Sequence, residues 1–262
     1  MISKKRQKAI KRKSVNKTIF ILLSVILILA ALTTYTLINR ADIKEEVVEN
    51  KDLLILKNFS EPSTIIMYLP AVDNNGSGYI TTLKVEAMSG TGRTLVDINS
   101  LLFWEDTQQS IRKAKGIAEK ISQINTSNVD LIYTISANAS LIGGESAGAA
   151  LTIATIAALE NKKISDDVII TGSVNHDGSI GPVQGVLSKA IAAKEFGAKL
   201  LLVPLLQSRE VIYESQRHCD TINGFEICTT EQIPRKSNIS EEANIEVKEV
   251  GTINDAIKYF IK

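Results

Sequence analysis

The protein has 262 residues, of which 44% are apolar and 23% are charged, and its formal net charge is +1. This length accommodates one globular domain of ordinary size with an extension. The near-neutral charge lacks the electrostatic signature of a nucleic-acid-binding protein, so nucleic acid is not a predicted partner.

A basic stretch and an apolar run open the chain. Residues 1–17 form a basic tail, and residues 18–38 contain no charged side chain. A helix that rises about 1.5 Å per residue would cross a bilayer over this length. Basic residues ahead of the span favour a cytoplasmic N-terminus and place the rest of the chain outside. A cleaved signal peptide is the alternative, since Ala30, Ala31 and Ala41 leave cleavage possible.

Residues 39–77 are predicted to be a linker and the beginning of a domain that occupies residues 78–262. Alternating or apolar runs predict strands, and a period near 3.6 predicts a helix. Short strands are expected at Leu53–Leu56 and Thr64–Leu69. A hairpin of Tyr79–Ala87 with Thr94–Ile98 and an amphipathic helix at Thr107–Ile124 follow.

The next segment places a serine among small residues. Residues 143–150 read Gly-Gly-Glu-Ser-Ala-Gly-Ala-Ala, after a predicted strand at Leu131–Ile135 and before an apolar helix that ends near Asn161. Ser146 therefore lies at a loop-to-helix junction. Unpaired N–H groups at a helix start carry partial positive charge and can bind an oxyanion. The backbone at Glu145 and Ser146 is the candidate donor, whereas the alternative makes Ser146 a helix N-cap only.

A lysine on a later helix is the candidate base. A strand at Val168–Thr171 leads into a glycine-rich hairpin, and a helix is predicted over Val186–Phe196, capped by Gly197. On this helix Lys189 stands among small and apolar residues. Desolvation would lower its pKa and make the neutral amine available as a base. A buried strand is expected at Lys199–Val203.

These segments together resemble the proteolytic domain of Lon proteases. The resemblance runs from about Gly78 to the C-terminus and is closest over residues 129–204. It implies a mixed α/β fold and a Ser–Lys dyad, with Ser146 and Lys189 at the matching positions and Thr171 beside them. Glu145 precedes the serine where many bacterial members have proline, which resembles the archaeal type. The resemblance also implies a hexamer.

The predicted function is that of a membrane-anchored, ATP-independent serine endopeptidase acting on peptide or protein substrates without a cofactor. The stretch Gly90–Thr94 lacks the glycine spacing and the Gly-Lys-Ser/Thr ending of a phosphate loop. Two alternatives stay open at this point. One is an inactive binding or scaffold protein, and the other is a proteolytic subunit that works with a separate ATPase chain.

The two cysteines, Cys219 and Cys228, suit a disulfide-closed hairpin in an exported domain, because Asn223-Gly224 between them favours a turn. Free thiols, or a metal pair with His218, are the alternatives, and no metal site is predicted. A Ser-His-Asp triad is disfavoured because His176 and Asp177 adjoin Gly178 in a predicted turn. The last elements expected are a helix at Ser208–Tyr213, an exposed polar segment at Thr229–Glu242, a strand at Ile245–Val250 and a helix at Ile253–Ile261.

Overall fold

The computed structural model describes residues 23–35, 54–97, 102–103, 105–136, 141–142, 145–222 and 225–261. The chain divides into two compact units, Met1–Asp52 and Leu53–Lys262. Several sequence-based predictions lie outside the described residues: the basic tail 1–17, the linker 39–53, Ile98, Gly143, Gly144, Asn223 and Gly224.

The first unit contains helix α1, which covers residues 23–35. Its large apolar side chains, such as Leu27 and Ile28, are exposed. The helix lies within the apolar run at 18–38, whose two ends are outside the described residues. Among the helices that the structure describes, none has both the length and the apolar character needed to span a membrane. The membrane segment at 18–38 stays a prediction.

The second unit has a mixed α/β fold, as predicted from the sequence. Its helices are α2 (Glu105–Ser122), α3 (Gly148–Glu160), α4 (Val186–Phe196), α5 (Ile239–Ala243) and α6 (Ile253–Phe260). Its strands are β1 (Ile55–Leu56), β2 (Ser63–Val72), β3 (Gly78–Ser89), β4 (Thr94–Val96), β5 (Leu102–Phe103), β6 (Ile124–Asn125), β7 (Val129–Ser136), β8 (Leu141–Ile142), β9 (Val168–Ile170), β10 (Ser173–Val174), β11 (Ile180–Gly181), β12 (Leu200–Pro204), β13 (Arg209–Ile222), β14 (Phe225–Asn238) and β15 (Glu246–Val250).

The larger sheet has four strands in the order β2-β3-β7-β4. Side chains alternate between the two faces of a strand, so β3 buries Leu83 and Val85 and leaves Lys84 partly exposed. The predicted hairpin of β3 with β4 is wrong. β3 pairs antiparallel with β2 and β7, and β4 instead pairs parallel with β7, where Thr94 lies opposite Leu131.

The beginning of the unit contributes to the core. In β2, Ile65, Met67 and Leu69 are buried and face the hydrophobic cluster of the larger sheet. The compact unit begins at Leu53, ahead of Gly78, where the predicted domain begins. The resemblance at the sequence level therefore covers less of the chain than the folded unit does.

Helix α3 lies in the centre of the core, with every residue from Gly148 to Leu159 buried. Its small residues allow close packing, and α2 packs against it with one apolar face that includes Ile111 and Ile117. Helix α4 packs against β2 and β3, and a parallel sheet in the order β15-β12-β9 stands beside it. Thr171 follows the last residue of β9 and lies near the start of α3, where its hydroxyl contacts the backbone of Ser146.

Strands β13 and β14 form a long hairpin, which we call the arm (residues 209–238). The pairing runs without interruption from Arg209 opposite Asn238 to Ile222 opposite Phe225. The helix predicted at Ser208–Tyr213 is therefore wrong, because its apolar residues are β-branched or aromatic and pair across the hairpin. The exposed segment predicted at Thr229–Glu242 is only partly right, since Ser237 and Ile239 are buried.

Cys219 and Cys228 lie directly opposite each other in the arm and are joined by a disulfide. We expect the purified protein to contain this bond. The bond should stabilise the folded arm by about 2–3 kcal/mol, because it restricts the conformations of the unfolded hairpin. Mass spectrometry of unreduced peptides checks the bond, and hydrogen exchange of the arm with and without reductant checks its effect. Two cysteines that react fully with an alkylating agent in the absence of reductant would contradict the prediction.

Candidate active site

Ser146 lies in a single 3-10 turn, Glu145–Ala147, that runs directly into α3. The residue is partly buried, and the helix that follows is buried from Gly148 to Leu159. Gly148 is required at this junction, because a Cβ there would approach the backbone nitrogen of Val174 to 2.9 Å. The small residues of the motif therefore let the β10 backbone pass close to the serine turn.

Backbone hydrogen bonds tie the serine turn to the segment after β9. The N–H of Gly172 donates to the carbonyl oxygen of Ser146 at 3.0 Å, and the N–H of Ala149 donates to the carbonyl oxygen of Gly172 at 2.9 Å. A Cβ on Gly172 would come within 2.5 Å of Cγ2 of Ile180. The motif serine and the residue after Thr171 are thus held as one structural unit.

Lys189 projects from the second turn of α4 and is almost completely enclosed, with 3% of its surface exposed. Its Nζ donates a hydrogen bond to Oγ1 of Thr171 at 3.2 Å. Burial lowers the pKa of the Lys189 ammonium to about 8, because the enclosed site solvates the charge less well than water does. The sequence-based expectation of a desolvated lysine is met.

Thr171 connects the two predicted dyad residues. Its hydroxyl accepts from Lys189 and donates to the carbonyl oxygen of Ser146 at 3.5 Å. The threonine is fully buried, and its own N–H donates to the carbonyl oxygen of Leu202 in β12. The structure therefore brings Ser146, Thr171 and Lys189 together from three separate segments.

The pKa of Lys189 sets an expected pH dependence. If the neutral amine is the base, kcat/KM should rise about tenfold per pH unit below the pKa of about 8 and level off above it. Burial disfavours the ammonium only in the folded state, so between about pH 8 and 10.5 the unfolded chain binds a proton that the folded protein does not. The free energy of unfolding should therefore rise with pH over this range. Initial rates of peptide cleavage measured from below the pKa of about 8 to above it check the first statement, and urea unfolding over the range from about pH 8 to 10.5 checks the second. A midpoint near 6.5, typical of histidine, would contradict it.

His176 and Asp177 line a cleft that is separate from Ser146 and Lys189. His176 lines a cleft with Lys120 of α2 and Thr252 at the start of α6, and neither Ser146 nor Lys189 lines that cleft. The carboxylate of Asp177 accepts from the N–H and the hydroxyl of Ser179, which lowers the pKa of Asp177. Asp177 thus stabilises the hairpin turn, in agreement with the turn predicted from Asp-Gly.

Glu145 pairs with a lysine that the sequence did not single out. Its carboxylate lies 3.1 Å from Nζ of Lys113 on α2. The pair joins the serine turn to the neighbouring helix, and about half of the Glu145 side chain is exposed to solvent. Lys113 and Glu145 are 32 residues apart, so no local sequence pattern indicates this contact.

The described residues offer one group of side chains close enough to share a metal ion, Cys219, Glu226 and Cys228. The two sulfur atoms are bonded to each other, so they are not available as thiolate ligands. The group lies on the arm, which is a separate element from the serine turn and α4.

The comparison with protein families gives a match over the region that contains this site. The model of the Lon protease (S16) C-terminal proteolytic domain matches residues 78–233, which is more than half of the chain. The chain belongs to this family. The resemblance inferred from the residues is confirmed, and the described Ser146, Thr171 and Lys189 all lie inside the matched region.

Curated relatives include archaeal and bacterial Lon proteases. The archaeal Lon protease of Thermoplasma acidophilum is 28% identical over 126 residues, which are 48% of this chain and 19% of that protein. The archaeal Lon protease of Methanocaldococcus jannaschii is 28% identical over 165 residues, 58% of this chain and 25% of that protein. The Lon protease of Buchnera aphidicola is 28% identical over 149 residues, 55% of this chain and 18% of that protein. The matched region spans a quarter or less of each relative.

Proposed function

We propose that this chain is a serine endopeptidase in which Ser146 is the nucleophile and Lys189 is the general base. The observation that carries the proposal is the hydrogen-bonded series from Lys189 through Thr171 to the backbone of Ser146, over 3.2 and 3.5 Å. The lowered pKa of Lys189 supports a much larger fraction of neutral amine near neutral pH than an ordinary lysine would have. Membership of the Lon proteolytic family supports peptide bonds as the substrate class.

The first half of the reaction forms an acyl-enzyme. Oγ of Ser146 attacks the carbonyl carbon of the peptide while Nζ of Lys189 accepts the hydroxyl proton. The resulting oxyanion is stabilised by backbone N–H groups at Glu145 and Ser146, close to the start of α3. The tetrahedral intermediate collapses as Lys189 returns the proton to the leaving nitrogen. The C–N bond breaks, and the amine product departs.

The second half releases the acyl group. Lys189, neutral again, takes a proton from a water molecule that attacks the ester carbonyl, and it then protonates Oγ of Ser146 as the second product leaves. Thr171 keeps one hydrogen bond from the lysine throughout. A neutral lysine amine has two N–H bonds and one lone pair, so the bond to Thr171 restricts where the lone pair points.

Active-site labelling tests the proposal directly. A fluorophosphonate or a peptide boronate should modify or inhibit the full-length protein through Ser146, and Ser146→Ala should be inert to both. Hydrolysis of an unstructured fluorogenic peptide should be lost in parallel. A correctly folded protein that neither reacts with the probes nor cleaves peptides would favour the inactive scaffold.

Independence from ATP belongs to the same proposal. It is supported by the absence of a phosphate-loop pattern from the printed sequence. Addition of ATP and Mg²⁺ should leave the turnover of a short peptide unchanged. ATP-dependent stimulation in the presence of a co-purifying ATPase would instead favour a proteolytic subunit of a larger machine.

The proposal extends to the location and the assembly of the protein. The basic tail and the apolar run at 18–38 support a single-pass anchor, with the N-terminus in the cytoplasm and the second unit outside the cell, or else a secreted protein after signal cleavage. External protease should digest the second unit in intact cells or spheroplasts, and protection of that unit would overturn this topology. A hexamer is supported by the family resemblance alone, and light scattering after detergent extraction tests it.

A further inference from the structure

Two side chains that follow β12 hold the polypeptide at the start of α4. The side-chain amide of Gln207 makes two hydrogen bonds with Val183. Its Oε1 accepts from the Val183 N–H at 2.9 Å, and its Nε2 donates to the Val183 carbonyl oxygen at 2.7 Å. One amide thus occupies both backbone groups of one residue, as a neighbouring strand would.

Glu210 makes a second contact one turn further along. Its Oε2 accepts a hydrogen bond from the N–H of Leu187 at 3.1 Å. The N-cap residue Gly185 provides no side-chain cap, and the first N–H groups of a helix have no partner within the helix. Glu210 therefore supplies from a distant segment the cap that α4 lacks, and its charge suits the positive end of the helix.

The contacts at Val183 and Leu187 lie on the two sides of the first turn of α4, whose backbone hydrogen bond involves Lys189. Val183 and Leu187 lie on either side of Gly185, whose carbonyl oxygen accepts the hydrogen bond from the N–H of Lys189 at 3.0 Å. Lys189 is two residues beyond Leu187. A shift or rotation of this turn would move Nζ relative to Thr171, the residue that receives its hydrogen bond.

The segment that carries the two side chains is itself fixed. Leu206 has a φ of 65°, which is uncommon for a leucine, and its side chain is 89% exposed, so packing of that side chain does not explain the conformation. The N–H of Gln207 donates to the carbonyl oxygen of Pro204, and the N–H of Ser208 donates to the carboxylate of Glu249. The turn therefore returns Gln207 to Val183 and starts β13 with Glu210 beside α4.

We propose that Gln207 and Glu210 are positioning residues for Lys189, which hold the first turn of α4 so that Nζ reaches Thr171. The inference rests on the proposed function, because Lys189 acts as the base in that reaction. Neither side chain touches the reacting atoms. Since Glu210 is the second residue of β13, the positioning contact also joins the arm to the helix that carries the catalytic lysine.

Kinetics of full-length variants test the proposal. Glu210→Ala and Gln207→Ala should each lower kcat about tenfold, because small displacements of a reacting group are costly, while KM changes less than about twofold. Glu210→Gln keeps an oxygen acceptor for Leu187 and should keep most of the activity. The double alanine variant should lose little more than either single variant, because both act on one turn. Glu214→Ala removes an exposed carboxylate of the arm that pairs with Arg235, and it should behave as wild type.

The titration of Lys189 gives a second measurement that does not need turnover. Mass spectrometry can follow its acylation by an amine-reactive anhydride as a function of pH. In Glu210→Ala the apparent pKa of Lys189 should rise towards its ordinary value as the side chain leaves its buried position, whereas in Glu214→Ala it should not move. Variants that only lower the melting temperature, with kcat and the Lys189 titration unchanged, would overturn the proposal. A wild-type protein without hydrolysis, combined with a shifted titration in Glu210→Ala, would refute the proposed function and leave the positioning role standing.

Discussion

Replacement of Lys189 by arginine is expected to reduce peptide hydrolysis by about a thousandfold or more. Arginine keeps the positive charge and much of the bulk, but its guanidinium does not lose a proton at any workable pH and cannot serve as a base. In the proposed reaction the lysine can act as a base because burial lowers its pKa to about 8, and arginine has no comparable neutral form. Lys189→Ala should be equally inactive, since it removes the base altogether.

Ser146→Ala and the double variant Ser146→Ala/Lys189→Arg should lose about as much activity as either dyad change alone, because residues that act as a catalytic unit are not additive. Thr171→Val keeps the shape of the side chain and removes both hydrogen bonds, so we expect an intermediate loss of about tenfold to a hundredfold. Steady-state hydrolysis of one fluorogenic peptide by all the variants, with melting temperatures measured in parallel, makes the comparison. Wild-type turnover by Lys189→Arg would refute Lys189 as the general base.

The parts of the site that were predictable carry local signals. The small residues around Ser146 indicate a tight junction before a helix, and Gly197 marks the end of α4, which the structure places at Phe196 as expected. Lys189 stands out because a charged residue falls among apolar neighbours on a helix. Thr171 was assigned through the family resemblance, and the structure adds the two hydrogen bonds that explain why a hydroxyl is useful there.

The wrong predictions concern pairing between distant segments. The sequence around β4 shows a strand, but nothing local indicates that it pairs parallel with β7 rather than antiparallel with β3. The beginning of the arm illustrates a second limit. Six residues at Ser208–Tyr213 are too few to separate a helical period from a strand, and the pairing with β14 decides between them.

The supporting contacts of the site are also long-range. Lys113 with Glu145 and Glu210 with Leu187 join residues that are far apart in the sequence and that have no matching pattern in either segment. Such contacts hold the elements that carry the proposed catalytic residues, whereas the motifs only point to those residues. The proposed dyad could therefore be named from the sequence, while the contacts that join the serine turn to α2 and α4 to the arm required the structure.

A single added methyl group at Gly78 is expected to disrupt the packing of α4 against β3. A Cβ built on Gly78 would lie 2.0 Å from the carbonyl oxygen of Ser188 and 2.6 Å from its carbonyl carbon. These are backbone atoms of the residue before Lys189, so no side-chain rotation can relieve the overlap. Either β3 or the lysine helix must move. We expect Gly78→Ala to lower the free energy of unfolding by about 3 kcal/mol and to reduce turnover with it.

Gly116→Ala is the matched control, because a Cβ at Gly116 in α2 would meet no atom within 4 Å. The same change of residue type should there stabilise the protein by up to about 1 kcal/mol, since alanine has the higher helix propensity. Urea unfolding measures both free energies, and hydrolysis below the unfolding transition separates the loss of stability from displacement of Lys189. If α4 is displaced, the folded Gly78→Ala protein should keep its KM and lose kcat. Wild-type stability and turnover in Gly78→Ala would mean that the backbone of α4 does not pack directly against β3 at Gly78, and the expected link between this contact and Lys189 would be wrong.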